Sequence, residues 1–322
     1  MRRSTTFYVA ASLALALLGS TGCPASDSDA DGGGDSRRAD LGEPVRIKLA
    51  TFNVRNLFDS SDDPDKLDDV PSKSEVDAKL KAIGIAIRRL DADIVALQEI
   101  ENRAILDRLN NEELSSLGYE HVRLVEGNDV RGVDVALLSK FPVPRAVSWK
   151  NEVFKGVDGD TQNYGFSRDC LEATIDVAPD RKLVLLVNHL RANDDSDPTA
   201  LKRREAQAAQ VRRIADETLA LDPRANLAVI GDLNDLPNSR TLELIRGTDG
   251  SKKPELADVA ETIDVAERYT TIYRGDHRQI DYILVAPGLA EDLVIGSASV
   301  NHDGAFSATS DHFPVMATFD LR

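Results

Sequence analysis

The chain has 322 residues, 42% of them hydrophobic, and carries 55 acidic against 39 basic side chains, a formal net charge of -16 at pH 7. With the N-terminal segment set aside, that length suits one large α/β domain or two small ones, and one domain is expected. The acidic balance excludes a nonspecific nucleic-acid binder that works through basic patches, but not an enzyme that meets phosphate through a bound cation.

The N-terminus reads as an export signal. Arg2 and Arg3 form the positive region, and Phe7 to Leu18 is an uncharged apolar stretch too short to span a bilayer. Ser20, Thr21 and Gly22 precede Cys23, which resembles a bacterial lipoprotein processing site where the cysteine is lipidated. Ser20 stands where leucine is usual, and simple secretion is the alternative. From Pro24 to Asp40 the chain is rich in Asp, Ser and Gly and lacks the apolar surface to offset ordering. The expected organisation is a signal peptide over 1–23, a flexible linker over 24–43 and a catalytic-size domain over 44–322. The product would sit in the cell envelope, touching the membrane through its lipid anchor only, or else be secreted. With Cys23 lipidated, Cys170 has no disulfide partner and is expected to be a buried small hydrophobe.

Val45, Ile47 and Leu49 alternate with Arg46 and Lys48, the period of a half-buried strand, which delivers Asn53 to a rim. Ser72 and Glu75 have capping-box spacing, and Val76, Leu80, Ile83 and Ile87 follow at helical intervals, predicting a helix over 74–90. Ile94 to Leu97 predicts a short strand ending at Gln98 and Glu99, and Val133 to Leu138 predicts another. Leu171 to Val177 alternates, while Leu183 to Val187 and Leu227 to Ile230 are continuously apolar. Between these runs, Ala200 to Leu219 has helical character with many charges on one face. Ile280 to Val285 and Phe313 to Phe319 close the chain as strands. Several strands follow one another without an intervening helix, which argues against a purely parallel sheet and for two packed sheets with helices outside.

Asn53, Glu99, Asn188, His189, Asp232 and Asn234 fall just past the C-terminal ends of predicted strands, and Asp281, Asp311 and His312 at the starts of others. In mixed sheets such positions share an edge. Asn53, Glu99, Asp232 and Asn234 offer the oxygen donors that Mg²⁺ prefers. His189 and His312 supply proton-exchanging groups, with Asp311 or Asp281 available to fix a tautomer. The bland readings are that Asp and Asn cap turns, that His189 is a satisfied core histidine, and that Glu99 is a surface charge. His121, His277 and His302 lie in no motif and read as structural, and the acids Asp62, Asp63, Asp65, Asp68 and Asp69 as a solvated loop.

The strings FNVRNLF, LQEIEN, RGVDVALLSK, FSRD, VNHL, GDLND, QIDYILV and SDHFPV, in that order from Phe52 to Val315, resemble the endonuclease/exonuclease/phosphatase (deoxyribonuclease-like) superfamily. The nearer likeness is to bacterial exported members. The resemblance implies an α/β fold, a four-layered α-β-β-α sandwich of two mixed sheets with the active site at one rim. It implies that Glu99 is the principal ligand of a Mg²⁺ ion (Mn²⁺ or Ca²⁺ being alternatives), with Asn53 nearby and Asp311 and the Asp232/Asn234 pair completing the site. Asp232 and Asn234 would orient the attacking water and the phosphate. His312, with Asp281 as partner, would act as general base or phosphate-oriented acid–base residue, and His189 would contact the scissile phosphate or protonate the leaving oxygen. Arg168 matches a phosphate-contacting arginine, a surface salt bridge being the alternative, and Asn188 stands on the substrate side. Asp134 is a loose match for a partner of His189. The implied activity is an exported, metal-dependent phosphodiesterase, foremost an endonuclease on DNA or RNA, acting as a monomer. A phosphatase or phospholipase-type enzyme (sphingomyelinase or inositol-phosphate) is the alternative, though no lipid-docking insertion is visible. A non-catalytic binding module is a third reading, opposed by the intact set of site positions.

Overall fold

The protein is described by a computed structural model over residues 43–194, 196–248, 250 and 255–322. The signal segment, Cys23 and residues 24–42 of the linker lie outside the described residues. The first strands are β1 (Val45–Leu57), β2 (Ile94–Ile100), β3 (His121–Leu124), β4 (Asp134–Ser139) and β5 (Arg145–Ser148). A short ribbon follows, β6 (Val153–Lys155) with β7 (Asn163–Gly165), then β8 (Cys170–Ala178), β9 (Arg181–His189), β10 (Leu227–Asp232) and β11 (Ala257–Asp258). A second ribbon, β12 (Thr271–Tyr273) with β13 (Asp276–Arg278), precedes β14 (Asp281–Val285), β15 (Ser299–Val300) and β16 (Val315–Leu321). The helices are α1 (Lys73–Leu90), α2 (Arg103–Glu113), α3 (Ala200–Leu221), α4 (Arg240–Arg246), α5 (Pro287–Ala290) and α6 (Gly304–Ser307).

Two six-stranded sheets form the centre, in the orders β15-β16-β1-β2-β4-β3 and β11-β14-β10-β9-β8-β5. Each has one parallel pair at its middle, β1 with β2 and β9 with β10, flanked by antiparallel neighbours. The α/β architecture is therefore two mixed sheets with helices, as the sequence predicts.

The apolar runs explain the layering. Along β9, Leu183, Leu185 and Val187 enter the core shared with the first sheet, whereas Leu186 packs with Val211, Ile214 and Ala215 of α3. β10 splits the same way, with Ala228 and Ile230 on one side and Leu227 and Val229 on the other. A strand buried on both faces has no polar alternation, which is why these segments read as continuous hydrophobic runs. Over the first sheet, α1 buries Val76, Leu80, Ile83 and Ile87, starts with the full Ser72–Glu75 capping box, and ends at Asp91 in the left-handed conformation.

Two expectations change. β2 runs on through a bulge to Ile100 instead of ending at Gln98 and Glu99. The charges of α3 are not all on a solvated face, because Arg204 and Arg212 are only 2% exposed. Arg212 is drawn inward by the open carbonyls at the end of α4, donating to Ile245 O (3.2 Å) and Arg246 O (2.9 Å). Cys170 is free and buried, as expected. Among the described residues no helix is long and apolar enough to cross a membrane.

Candidate active site

Strand direction brings the site together. β1, β2, β9 and β10 end at one rim, and β14 starts there because it runs antiparallel to β10. In the second sheet His189, Asp232 and Asp281 are consecutive partners on one rung, so period-two pleating turns all three side chains to the same face. Their parity matches Val187, Ile230 and Ile283, which point into the core between the sheets. The first sheet contributes Asn53 and Glu99, and the turn before β16 contributes His312.

The oxygen Oδ2 of Asp232 is the hub. It accepts from Asn53 Nδ2 at 3.0 Å and lies 3.4 Å from His189 Nε2 and 3.9 Å from His312 Nε2. Asn53 Nδ2 also reaches Glu99 Oε1 at 3.3 Å, and Asn56 N–H donates to Glu99 Oε2 at 2.9 Å. His312 Nδ1 is 2.8 Å from Asp281 Oδ2. Asn234 N–H donates to Asp232 Oδ1 at 2.9 Å, while its side-chain amide is anchored on Leu190 O at 3.1 Å. Backbone strain accompanies this convergence: Arg55, Asn56, Glu99 and Asn234 have φ values of 54°, 52°, 66° and 55°. Each is a left-handed non-glycine residue at a strand end, the kind of cost that structures store where a side chain must be aimed.

Charge is unevenly balanced across the site. Burial, reinforced by Asp281, raises the pKa of Asp232. Burial opposes a charge on His312, yet Asp281, Asp232 and Asp311 hold its pKa up to about 10. Burial drives His189 the other way, well below the ordinary histidine range, helped by Arg168, His312 and Arg131. The two histidines are thus split into a cationic and a neutral ring by their surroundings.

A divalent cation fits this donor set. Glu99 and Asp232 bring two carboxylates, the hard oxygen donors such an ion prefers, to either side of the Asn53 amide, whose Nδ2 lies between them and whose Oδ1 accepts from Arg55 N–H at 2.9 Å. Asp232, Asp281 and His312 also offer donor atoms within 4.8 Å of one another, but there His312 itself supplies compensating charge. Glu99 receives only neutral N–H groups, so it is the carboxylate best suited to a cation. Asp311 is half exposed, 3.7 Å from Arg55 Nε. Both it and Glu99 lie close enough to Lys79 to pull that ammonium's pKa upward, although burial and Arg55 leave it lowered to about 8.

Three sequence expectations are corrected. Asn188 sits one residue out of step with His189, so its fully buried amide faces the helix side and donates to Leu186 O at 2.8 Å instead of reaching the rim. Asp134 does not pair with His189, whose Nδ1 has no hydrogen-bond partner; it accepts from Gly127 N–H at 2.6 Å. Arg168 is no surface salt bridge, being 4% exposed, with Nε 2.7 Å from Asp129 Oδ2 and Nη1 donating to Leu190 O at 3.0 Å.

The sequence reading missed the supports. Ser310 Oγ donates to Asn53 O at 2.7 Å and accepts from His312 N–H at 3.0 Å, fixing the turn before β16 against β1 within the first sheet. Thr270 Oγ1 accepts from Asp281 N–H at 3.1 Å, and Lys79 Nζ donates to Thr309 O at 2.7 Å. Arg204 joins the loop after His189 to the loop after Asp232, bonding Arg191 O (3.1 Å), Asn193 Oδ1 (2.9 Å) and Asp235 Oδ2 (3.0 Å). Ser310 opens the SDHFPV string, but its bond to Asn53 O spans 257 positions, and no local pattern marks Thr270, Lys79 or Arg204.

Comparison with known proteins agrees with this architecture. No curated protein matches the chain at a significant level. Among solved structures, the human nocturnin catalytic domain with bound sulfate anion superposes with a TM-score of 0.61 at 18% identity, covering 86% of this chain and 95% of that one. An endonuclease/exonuclease/phosphatase from Bacteroides vulgatus gives 0.59 at 17% identity, covering 86% and 100%. An AP endonuclease from Archaeoglobus fulgidus gives 0.55 at 18% identity, covering 85% and 100%. At these identities the likeness establishes the fold. The family model described as "Endonuclease/Exonuclease/phosphatase family" matches residues 48–308, most of the chain, and the protein belongs to that family.

Proposed function

We propose that the protein is an exported, divalent-cation-dependent phosphodiesterase that cleaves nucleic acid. The observation that carries the reading is the meeting of Glu99, Asn53, Asp232, His189 and His312 around one buried carboxylate oxygen at the rim. A Mg²⁺ ion held by Glu99 with Asn53 and Asp311 would neutralise charge developing on the phosphoryl oxygens. The chain's own groups do the rest. Asp232, made more basic by burial, takes a proton from the attacking water, and Asn53 and Asn234 hold its two oxygens in place. The water oxygen bonds to phosphorus as the bond to the leaving oxygen breaks. His312, kept charged by Asp281, binds the phosphate and supplies the proton the leaving oxygen needs, while neutral His189 donates a hydrogen bond to the same phosphate. Arg168 acts from behind the site as a fixed positive charge near His189.

The similar structures named for a sulfate-bound catalytic domain and an AP endonuclease support phosphate chemistry here. The full-length protein should cleave plasmid DNA or RNA and a simple phosphodiester with Mg²⁺, Mn²⁺ or Ca²⁺, and lose that activity with EDTA or as Glu99→Gln. Absence of cation-dependent hydrolysis of every phosphoester, sphingomyelin included, would defeat the reading. Lipid anchoring is tested separately by Cys23→Ser, which should move the protein from the membrane to the soluble fraction.

A further inference from the structure

The β12–β13 ribbon is joined to the catalytic rim at its base and stands in solvent at its tip. Thr271 forms a bridge with His312, its hydroxyl donates to Asp311 O at 2.9 Å, and Phe313 N–H donates to Thr270 O at 2.7 Å. One face of the ribbon is stiffened from below, where His277 and His302 each stack on Tyr269 with ring centroids 3.9 Å apart. The other face carries Thr271 and Tyr273, two residues apart, with Arg278 directly across from Thr271 and Asp276 directly across from Tyr273; Arg278 Nη2 lies 3.4 Å from Asp276 Oδ2.

Tyr273 is 47% exposed, and the guanidinium groups of Arg274 and Arg278 lie 5.1 and 4.6 Å from its ring centroid. Arg274 and Gly275 form the two-residue turn, with φ of 53° and 89°, a conformation that ordinarily selects Asn or Asp before the glycine. An arginine held there against its backbone preference makes no ion pair among the described residues, its contact being the Tyr273 ring. In a chain of net charge -16, two guanidiniums against one carboxylate, framing an exposed ring two residues along the strand from the Thr271–His312 bridge, are a local exception that matches a polyanion carrying flat bases.

We propose that this ribbon tip is a substrate arm for single-stranded nucleic acid: Tyr273 stacks on an unpaired base next to the phosphate held at His312, and Arg274 and Arg278 contact neighbouring phosphates. Stacking on an aromatic beside a cationic track is the general means of gripping single strands. A protein partner fits less well, because the ring is surrounded by charge instead of a continuous apolar patch. The inference rests on the phosphodiesterase reading and narrows its substrate.

The test compares wild type, Tyr273→Ala, Tyr273→Phe and Arg274→Asn/Arg278→Gln on a single-stranded oligonucleotide and on bis(4-nitrophenyl) phosphate, which is too small to reach the arm. Tyr273→Ala should raise KM for the oligonucleotide about tenfold, the scale of one lost stack, and Tyr273→Phe should restore it. The double arginine variant should flatten the slope of log(kcat/KM) against log salt by about 1.4, two phosphate contacts' worth. The small diester should be hydrolysed equally by all four proteins. Undiminished oligonucleotide cleavage by the variants, or equal losses on both substrates, overturns the arm alone. Wild-type hydrolysis of the small diester without any cleavage of nucleic acid overturns the substrate reading, and the arm with it.

Discussion

The 2.8 Å contact between His312 Nδ1 and Asp281 Oδ2, with side chains 12% and 1% exposed, ties one catalytic proposal to a measurable coupling. If Asp281 works only by holding and charging His312, removing either end removes the same unit. A positioned acid–base group contributes roughly 10²–10⁴ in rate, which at about 1.36 kcal/mol per decade is ~2.7–5.4 kcal/mol of barrier. His312→Ala should therefore lower kcat on a simple diester by about that range, and Asp281→Asn by at least about 10². The double variant should be no worse than His312→Ala alone, giving a coupling energy of about 2.7 kcal/mol or more in a double-mutant cycle. The assay is steady-state hydrolysis at saturating cation, with circular dichroism checking that each variant folds. Losses that multiply in the double variant, or an Asp281→Asn enzyme within about twofold of wild type, would refute the partnership.

Other consequences follow from geometry and charge. Burial raises Asp258 from 3.8 to about 6, against hydrogen bonds from Ala260 N–H and Gln279 that lower it. The folded state thus holds this proton more tightly than the unfolded state, and stability falls as pH rises through the window between the two values. Asp258→Asn should unfold at higher urea than wild type at pH 7, by about 1–3 kcal/mol, with the advantage gone near pH 4; an advantage that persists in acid would contradict the cause. Gly231, at φ 130°, has Asn188 O 2.0 Å from where a Cβ would stand, so Gly231→Ala should cost more than about 3 kcal/mol and yield little folded protein. Arg204→Met leaves Asp235 without its cation and should destabilise by about 3 kcal/mol in urea unfolding, with kcat falling as the two loops loosen. Glu99→Gln should abolish Mg²⁺ binding in calorimetric titration while leaving the unfolding midpoint in EDTA near that of wild type.

How much could be read from one dimension differs by residue. The helix over 74–90 was legible because a capping box and a 3.6-residue stripe are both local. Glu99 and Asn53 were legible as strand-end polar residues, yet the bulge that aims Glu99 was not, since one extra residue in a strand leaves no periodic mark. Asn188 was misread for a related reason: adjacent residues of one strand face opposite ways, and only register against β8 and β10 says which way each points. Arg204 and Arg212 looked like a solvated face because charge argues for exposure unless a distant carbonyl or carboxylate is waiting.

The sequence alone determined the central strands and most of the polar residues at their ends, because these follow from hydrophobic period and chain direction, whereas the short edge strands and ribbons carry no such period. Only the tertiary structure decided that Asp232 is the hub, that the pKa values of His189 and His312 are driven in opposite directions, and that Ser310, Thr270 and Arg204 hold the site together. Those outcomes depend on burial and on partners brought together across as many as 257 positions of the chain, which no local pattern encodes.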